Sequence, residues 1–152
     1  MNNTKIGTLG YNALDIADYI IRYEEKRGHL INNLKLQKIL YFLQAQFLVS
    51  YNKSLFEEEL IAWDFGPIVK SVYYNYKVYG GASIFVQPRN YRNAYIAKEH
   101  RKMINEMLDH IRPYSSTQLV DICHKQRPFN HARFKWDNVI ALEELREYFK
   151  ED

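Results

Sequence analysis

Cys123-His124 sets a thiol beside an imidazole, the two groups that together make a nucleophile and its base. Neighbouring helical residues point about 100° apart, so this pair does not face itself. Cys123 then reads as a small core hydrophobe, and His124 is left to pair with something distant. His124 and His131 stand seven residues apart across Pro128, which is no recognised metal-ligand spacing. His100 and His110 fall on one expected helix with about 15 Å of rise between them and do not converge. Glu57, Glu58 and Glu59 form an exposed run, where a shifted carboxyl is not expected. The chain has no G-x-x-x-x-G-K-S/T loop, G-x-G-x-x-G turn or G-x-S-x-G elbow. Gly80-Gly81 follows a helix and reads as a stop signal, not a phosphate cradle. No reaction can be named from these residues. The expectation is a protein that is not an enzyme and takes no cofactor and no metal.

Two further residues carry weight through their surroundings. Lys38 lies on a helix that is apolar nearly all round, where an unpaired charge would cost several kcal/mol. Pairing with Asp15, Asp18 or a helix C-terminal carbonyl is the favoured account, over snorkelling or a partner contact. Trp63 sits beside a Gly66-Pro67 corner, as corner packing or as a binding hot spot.

The elements that position these residues are readable from periodicity. Residues 1–11 lack any pattern and are expected to be a flexible leader, with residues 12–150 a single domain. Asn12 caps a helix with Ala13, Ile16, Ala17, Ile20 and Tyr23 on one stripe, and Gly28 ends it. Asn32 or Asn33 caps the central helix, Leu34 to Ser50, whose polar exceptions are Lys35, Gln37, Lys38 and Gln44. Asn52-Lys53 reads as a turn and Leu60 to Trp63 as a short strand. Pro67 is placed in the first turn of a helix running to Gly80. Ser83 to Gln87 reads as a second strand. Further helices are expected over Ala97–Ile111, from the Ser115–Gln118 capping box until Arg127-Pro128 breaks it, and over Leu142–Phe149. The fold class is mainly α (α+β): one helical domain around a central apolar helix, with a small two- or three-stranded sheet.

Composition sets the outer bounds. The 152 residues are 47% apolar and 26% charged, with 13 Tyr, 8 Phe and a single Cys, so no internal disulfide forms. No apolar run reaches the ~20 residues needed to span a bilayer, and no signal peptide opens the chain. A cytoplasmic protein without membrane contact is expected. The net charge of +3 implies no nucleic-acid partner by itself, but from Lys70 to Lys102 seven bases stand against one acid. Tyrosines interleave with these bases. This stretch, through Tyr73, Tyr76, Lys77, Arg89, Arg92 and Arg101, is the expected contact surface, complementing an acidic protein partner. Nucleic acid is the alternative, since bases and aromatics also alternate on such surfaces.

Leu34 to Tyr41 (LKLQKILY) and Ala62 to Val69 (AWDFGPIV) resemble the signature blocks of the Panacea domain, the SocA-like antitoxin family often labelled phage-associated proteins. Ala13 to Ala17 and Val72 to Gly80 fit the same pattern in the same order. Further on, Cys123-His124 stands where the family often shows Thr-His, Pro128-Phe129 replaces Pro-Trp, and Arg133 supplies the following base. The resemblance implies a mainly helical domain with a small sheet and a non-enzymatic antitoxin. Such a protein neutralises a cognate protein toxin of a bacterial or prophage toxin–antitoxin pair by binding it. It implies an architectural part for Leu36, Gln37, Lys38, Tyr41, Trp63, Gly66, Pro67 and His124. A proteolytic adaptor delivering the toxin to a protease, or a nucleic-acid-binding regulator using residues 70–102, are the other readings.

Overall fold

The computed structural model describes residues 6–151. Helix α1 spans Ala13–Lys26, capped by the Asn12 side chain accepting from the Leu14 N–H and ended beyond Arg27 at Gly28, φ +76°. Helix α2, Asn33–Tyr51, is capped by Asn32 and ends at Asn52 in the left-handed conformation. Its Leu36, Ile39, Leu40, Leu43, Phe47 and Leu48 are all buried. As expected of a helix apolar on most sides, it is central: α1, four of the later helices and two of the strands described below pack against it.

Residues 1–5 of the expected leader lie outside the described residues. The rest of it is a correction, because Gly7–Tyr11 forms strand β1, parallel to β2 (Lys53–Phe56). Neither strand was visible locally. Gly7 and Gly10 are poor strand formers, and the pairing joins segments 46 residues apart. Buried Gln44 of α2 supports the far strand, its Oε1 accepting from the Leu55 N–H at 2.7 Å and its Nε2 donating to the Phe56 carbonyl at 3.0 Å.

The second pair is a hairpin, β3 (Ile61–Trp63) against β4 (Gly66–Ile68), antiparallel with Ala62 opposite Pro67. Pro67 therefore lies in a strand and not in a helical first turn. A strand in a two-stranded ribbon has an outer edge where a missing N–H is harmless. Helix α3 begins only at Lys70 and ends at Tyr76, followed by a 3-10 turn, Lys77–Tyr79. The strand expected over Ser83–Gln87 reduces to one bridge, Asn32 to Ser83, and Pro88 opens a second 3-10 turn.

Helices α4 (Lys98–Ile111) and α5 (Ser116–His124) follow, the latter with the full Ser115–Gln118 capping box. Arg127-Pro128 ends α5 but also starts α6 (Arg127–Arg133), a correction to the simple break. Proline in a helix's first turn removes only an N–H that would have no partner there. Helix α7, Leu142–Lys150, closes against α2. The fold is mainly α with two small two-stranded sheets, and no helix among the described residues is long and apolar enough to cross a membrane.

Candidate interaction surface

The β3–β4 hairpin is where the separate sequence motifs meet. Gln37 Oε1 accepts from the Val69 N–H at 2.8 Å, while Gln37 Nε2 donates to Asn33 Oδ1, and Asn33 Nδ2 in turn donates to the Tyr73 carbonyl. Val69 is the N-cap of α3 and supplies no side-chain cap of its own. This relay from α2 thus fixes both where β4 ends and where α3 begins.

Lys38, with 0% exposure, donates from Nζ to the Pro67 carbonyl at 2.9 Å. Of the expected partners neither Asp15 nor Asp18 meets it, and the carbonyl it finds belongs to β4 and not to a helix C-terminus. Asp15 instead binds Arg92 Nε at 2.6 Å, and Asp18 accepts from the Arg92 N–H and lies 3.7 Å from Arg22. Burial pushes the Lys38 ammonium down to about 8. Gly66 makes room for this lysine: a Cβ there would lie 2.6 Å from Lys38 Cε. Its φ of +105° is one that L side chains rarely adopt.

The C-terminal motif grips the same hairpin from outside. His124 Nε2 lies 2.9 Å from the Asp64 carbonyl, and its ring stacks on Phe129 at 5.1 Å. Arg133 donates to the Trp63 carbonyl at 3.0 Å and to Asp64 Oδ1 at 2.6 Å. Tyr41, fully buried, donates to Gln126 Oε1 at 2.6 Å, the N-cap residue of α6, and burial raises its phenol. Tyr41→Phe would leave that buried amide oxygen unpaired and should cost about 1–3 kcal/mol, read as a lower urea midpoint with unchanged slope.

Cys123 and His124 do not form a nucleophile–base pair. The thiol is buried and pushed up to about 12 by desolvation, while the imidazole faces the hairpin. His131 binds Glu144 at 2.9 Å, and buried His100 sits 2.7 Å from the Tyr11 hydroxyl.

On its outer side the hairpin carries an aromatic cluster. Trp63 lies 5.8 Å from Phe65, 5.1 Å from Tyr73 and 6.3 Å from Tyr74 between ring centroids, with near-perpendicular planes. Phe65 and Tyr74 are exposed. Beside them opens a cavity of about 450 Å³ lined by Leu34, Gln37, Phe65, Tyr73, Lys77 and Gly80.

The six candidate contact residues fall into separate groups, Tyr73 with Lys77 at one pocket and Tyr76 with Arg92 at another. Tyr73 and Lys77 line the cavity just described. Tyr76, 5% exposed and with its phenol pushed up to about 12 by burial, belongs to the core. Arg92 is tied to Asp15, Arg101 Nε donates to the Ile96 carbonyl, and Arg89 is an exposed residue of the second 3-10 turn. Sequence reasoning missed Phe134 and Trp136, 89% and 95% exposed. Their alternation with Arg133, Lys135 and Asp137 has the period of a half-buried strand, so the sequence held no local signal of their exposure.

Buried polar side chains of α2 and contacts from α5 and α6 thus brace one aromatic hairpin. Residues 36–129 match the family described as Antitoxin SocA-like, Panacea domain, and the chain belongs to that family. Among curated proteins it is similar to Antitoxin SocA of Caulobacter vibrioides (strain NA1000 / CB15N), 46% identical over 43 residues, 28% of this chain. The match spans 23% of that relative's length. No solved structure matches the chain.

Proposed function

We propose that this protein is an antitoxin that neutralises a protein toxin by binding it directly, through the face formed by Trp63, Phe65, Tyr73, Tyr74 and Lys77. Family membership supports the antitoxin class. The observation that carries the surface is the clustering of four aromatic rings, two of them exposed, where α3 meets a hairpin braced from α2 and α6. Large aromatics on a rigid support give much contact area for little lost side-chain freedom, which is the composition of binding hot spots. Lys70 and Lys77, both exposed on or beside α3, favour an acidic partner surface.

Co-expression with the product of the adjacent gene tests this, scoring growth first and co-purification second. Growth arrest relieved by this protein, with a complex recovered, is the expected result. Phe65→Ala and Tyr74→Ala should each weaken that complex about tenfold or more while leaving the melting temperature almost unchanged. Full affinity in both variants would remove this face as the contact. Relief without a recoverable complex would instead indicate an adaptor that hands the toxin to a protease.

A further inference from the structure

Phe134 and Trp136 project from the loop that joins α6 to the bridge between Val139 and Ile61. Aromatic side chains this open contribute almost nothing to the core, yet the backbone beneath them is held in place. Asn138, in the left-handed conformation at φ +57°, donates from Nδ2 to the carbonyls of Ala132 (3.1 Å), Arg133 (3.3 Å) and Lys135 (3.1 Å). Asp137 Oδ1 accepts from the Val139 N–H at 3.1 Å. The loop's far end enters the hairpin, with the Ala62 N–H donating to the Asn138 carbonyl at 2.8 Å and the Ile140 N–H to the Leu60 carbonyl at 2.9 Å. Its near end is fastened by Arg133 to Trp63 and Asp64.

Such a loop loses little conformational freedom on binding, because its turn is already formed. It is also physically continuous with the aromatic hairpin. Ala62, Trp63, Asp64, Phe65, Arg133 and Asn138 line a cavity of about 380 Å³ between the two. Charge narrows the partner. Arg133 is paired with Asp64 at 2.6 Å and Arg127 lies 3.9 Å from Glu151, which leaves Lys135, set between the two aromatics, and Lys125 as the bases of this stretch that face outward. Two apolar anchors with a lysine between them fit an apolar pocket that carries a carboxylate at its rim.

We infer that the 134–136 loop is a preformed anchor whose Phe134 and Trp136 insert into an apolar, acid-rimmed pocket of the bound toxin, as a second contact beside the Trp63–Tyr74 face. This rests on the antitoxin reading above. Both contacts belong to one interface because the same Arg133 and Asn138 bonds fix the loop against the hairpin.

The test uses the full chain and the protein encoded by the adjacent gene. Trp136→Ala and Phe134→Ala should retain the wild-type melting temperature, and each should raise the dissociation constant about thirtyfold or more. Lys135→Glu should slow association, with the loss largest at low salt. Labelling with 5-fluorotryptophan gives one fluorine resonance for each of the 2 Trp. The Trp136 resonance, assigned by its disappearance in Trp136→Phe, should shift when the complex forms. A wild-type complex whose affinity survives both alanine substitutions, with the Trp136 resonance unmoved, overturns the anchor and leaves the antitoxin reading standing. Failure of the wild type to bind the neighbour removes that reading and the anchor with it. Movement of the Trp136 resonance on phosphatidylglycerol vesicles, on single-stranded DNA or on self-association, with none on the neighbour, assigns the loop to another occupant and also overturns the proposal.

Discussion

Gly66→Ala will destabilise the protein by about 4 kcal/mol, the largest loss expected from adding a single methyl group to this chain. Two separate penalties meet at this position. The backbone φ of +105° is outside the range that an L side chain adopts without strain. The new Cβ would lie 2.6 Å from Lys38 Cε, 3.1 Å from Nζ and 3.3 Å from Cδ. A flexible lysine at the surface would swing away. Lys38 is enclosed and its Nζ is committed to the Pro67 carbonyl, so movement would break that bond or displace β4. The control is Gly81→Ala, where nothing lies within 4 Å of the added atom and no unusual φ is required, and the change should stay near about 0.5 kcal/mol. Urea unfolding of both variants measures the difference. Equal midpoints for Gly66→Ala and the wild type would show that the hairpin does not depend on this close approach.

What the sequence disclosed followed from how local each signal was. Helices α1, α2, α4, α5 and α7 announced themselves through apolar period and capping residues within one segment, and Asn12, Asn32 and Ser115 cap as their types suggest. The hairpin was half legible: Trp63 and Gly66 marked a corner, but Pro67 looked like a helix start because the same residue suits either setting. β1 and β2 could not be read, since each becomes a strand only by pairing with the other. The fate of Lys38 was illegible for a related reason. Burial of the residue was evident from its helix, but its acceptor is a carbonyl 29 residues away, whose position depends on the hairpin it helps to hold.

The candidate contact stretch shows the limit of charge counting. Its seven bases gave the segment a sign, yet burial and pairing decide which side chains face outward. Tyr76 packs inside and Arg92 is neutralised by Asp15, whereas Tyr73 and Lys77 border the cavity. The outward aromatics lie elsewhere, in the run of alternating bases and aromatics at 133–137. That alternation has the period of a half-buried strand, and the aromatics face outward only because the segment forms a loop between α6 and the Val139–Ile61 bridge.

Lys38 should also make stability depend on pH in a direction opposite to that of most buried acids. Its ordinary value of 10.5 falls to about 8 in the folded protein because burial disfavours the charged form. Between about 8 and 10.5 the unfolded chain therefore binds more protons than the native one, and stability rises with pH across that window. The contribution is present in full above the unfolded value and is lost as pH falls through about 8. Its size is about 3 kcal/mol. Among the described residues no carboxylate offsets the cost, and the Phe65 ring, 5.9 Å from Nζ, adds only a weak attraction. Cys123 opposes the trend from above, since a thiol pushed from 9 to about 12 makes the folded state less favoured once the unfolded chain ionises. Tyr76, raised from 10 to about 12, acts the same way at still higher pH. The raw stability curve should rise past pH 8 and then turn over. Lys38 and Cys123 act on each other's ionisation, so both proteins carry Cys123→Ala in this comparison, and Lys38→Met then removes the lysine contribution alone. Urea unfolding from pH 7 to 10.5 should show the protein that keeps Lys38 gaining on Lys38→Met by about 3 kcal/mol. A constant offset across that range would mean that Lys38 titrates as a solvated amine, and the hairpin would then be braced without a buried charge at its centre.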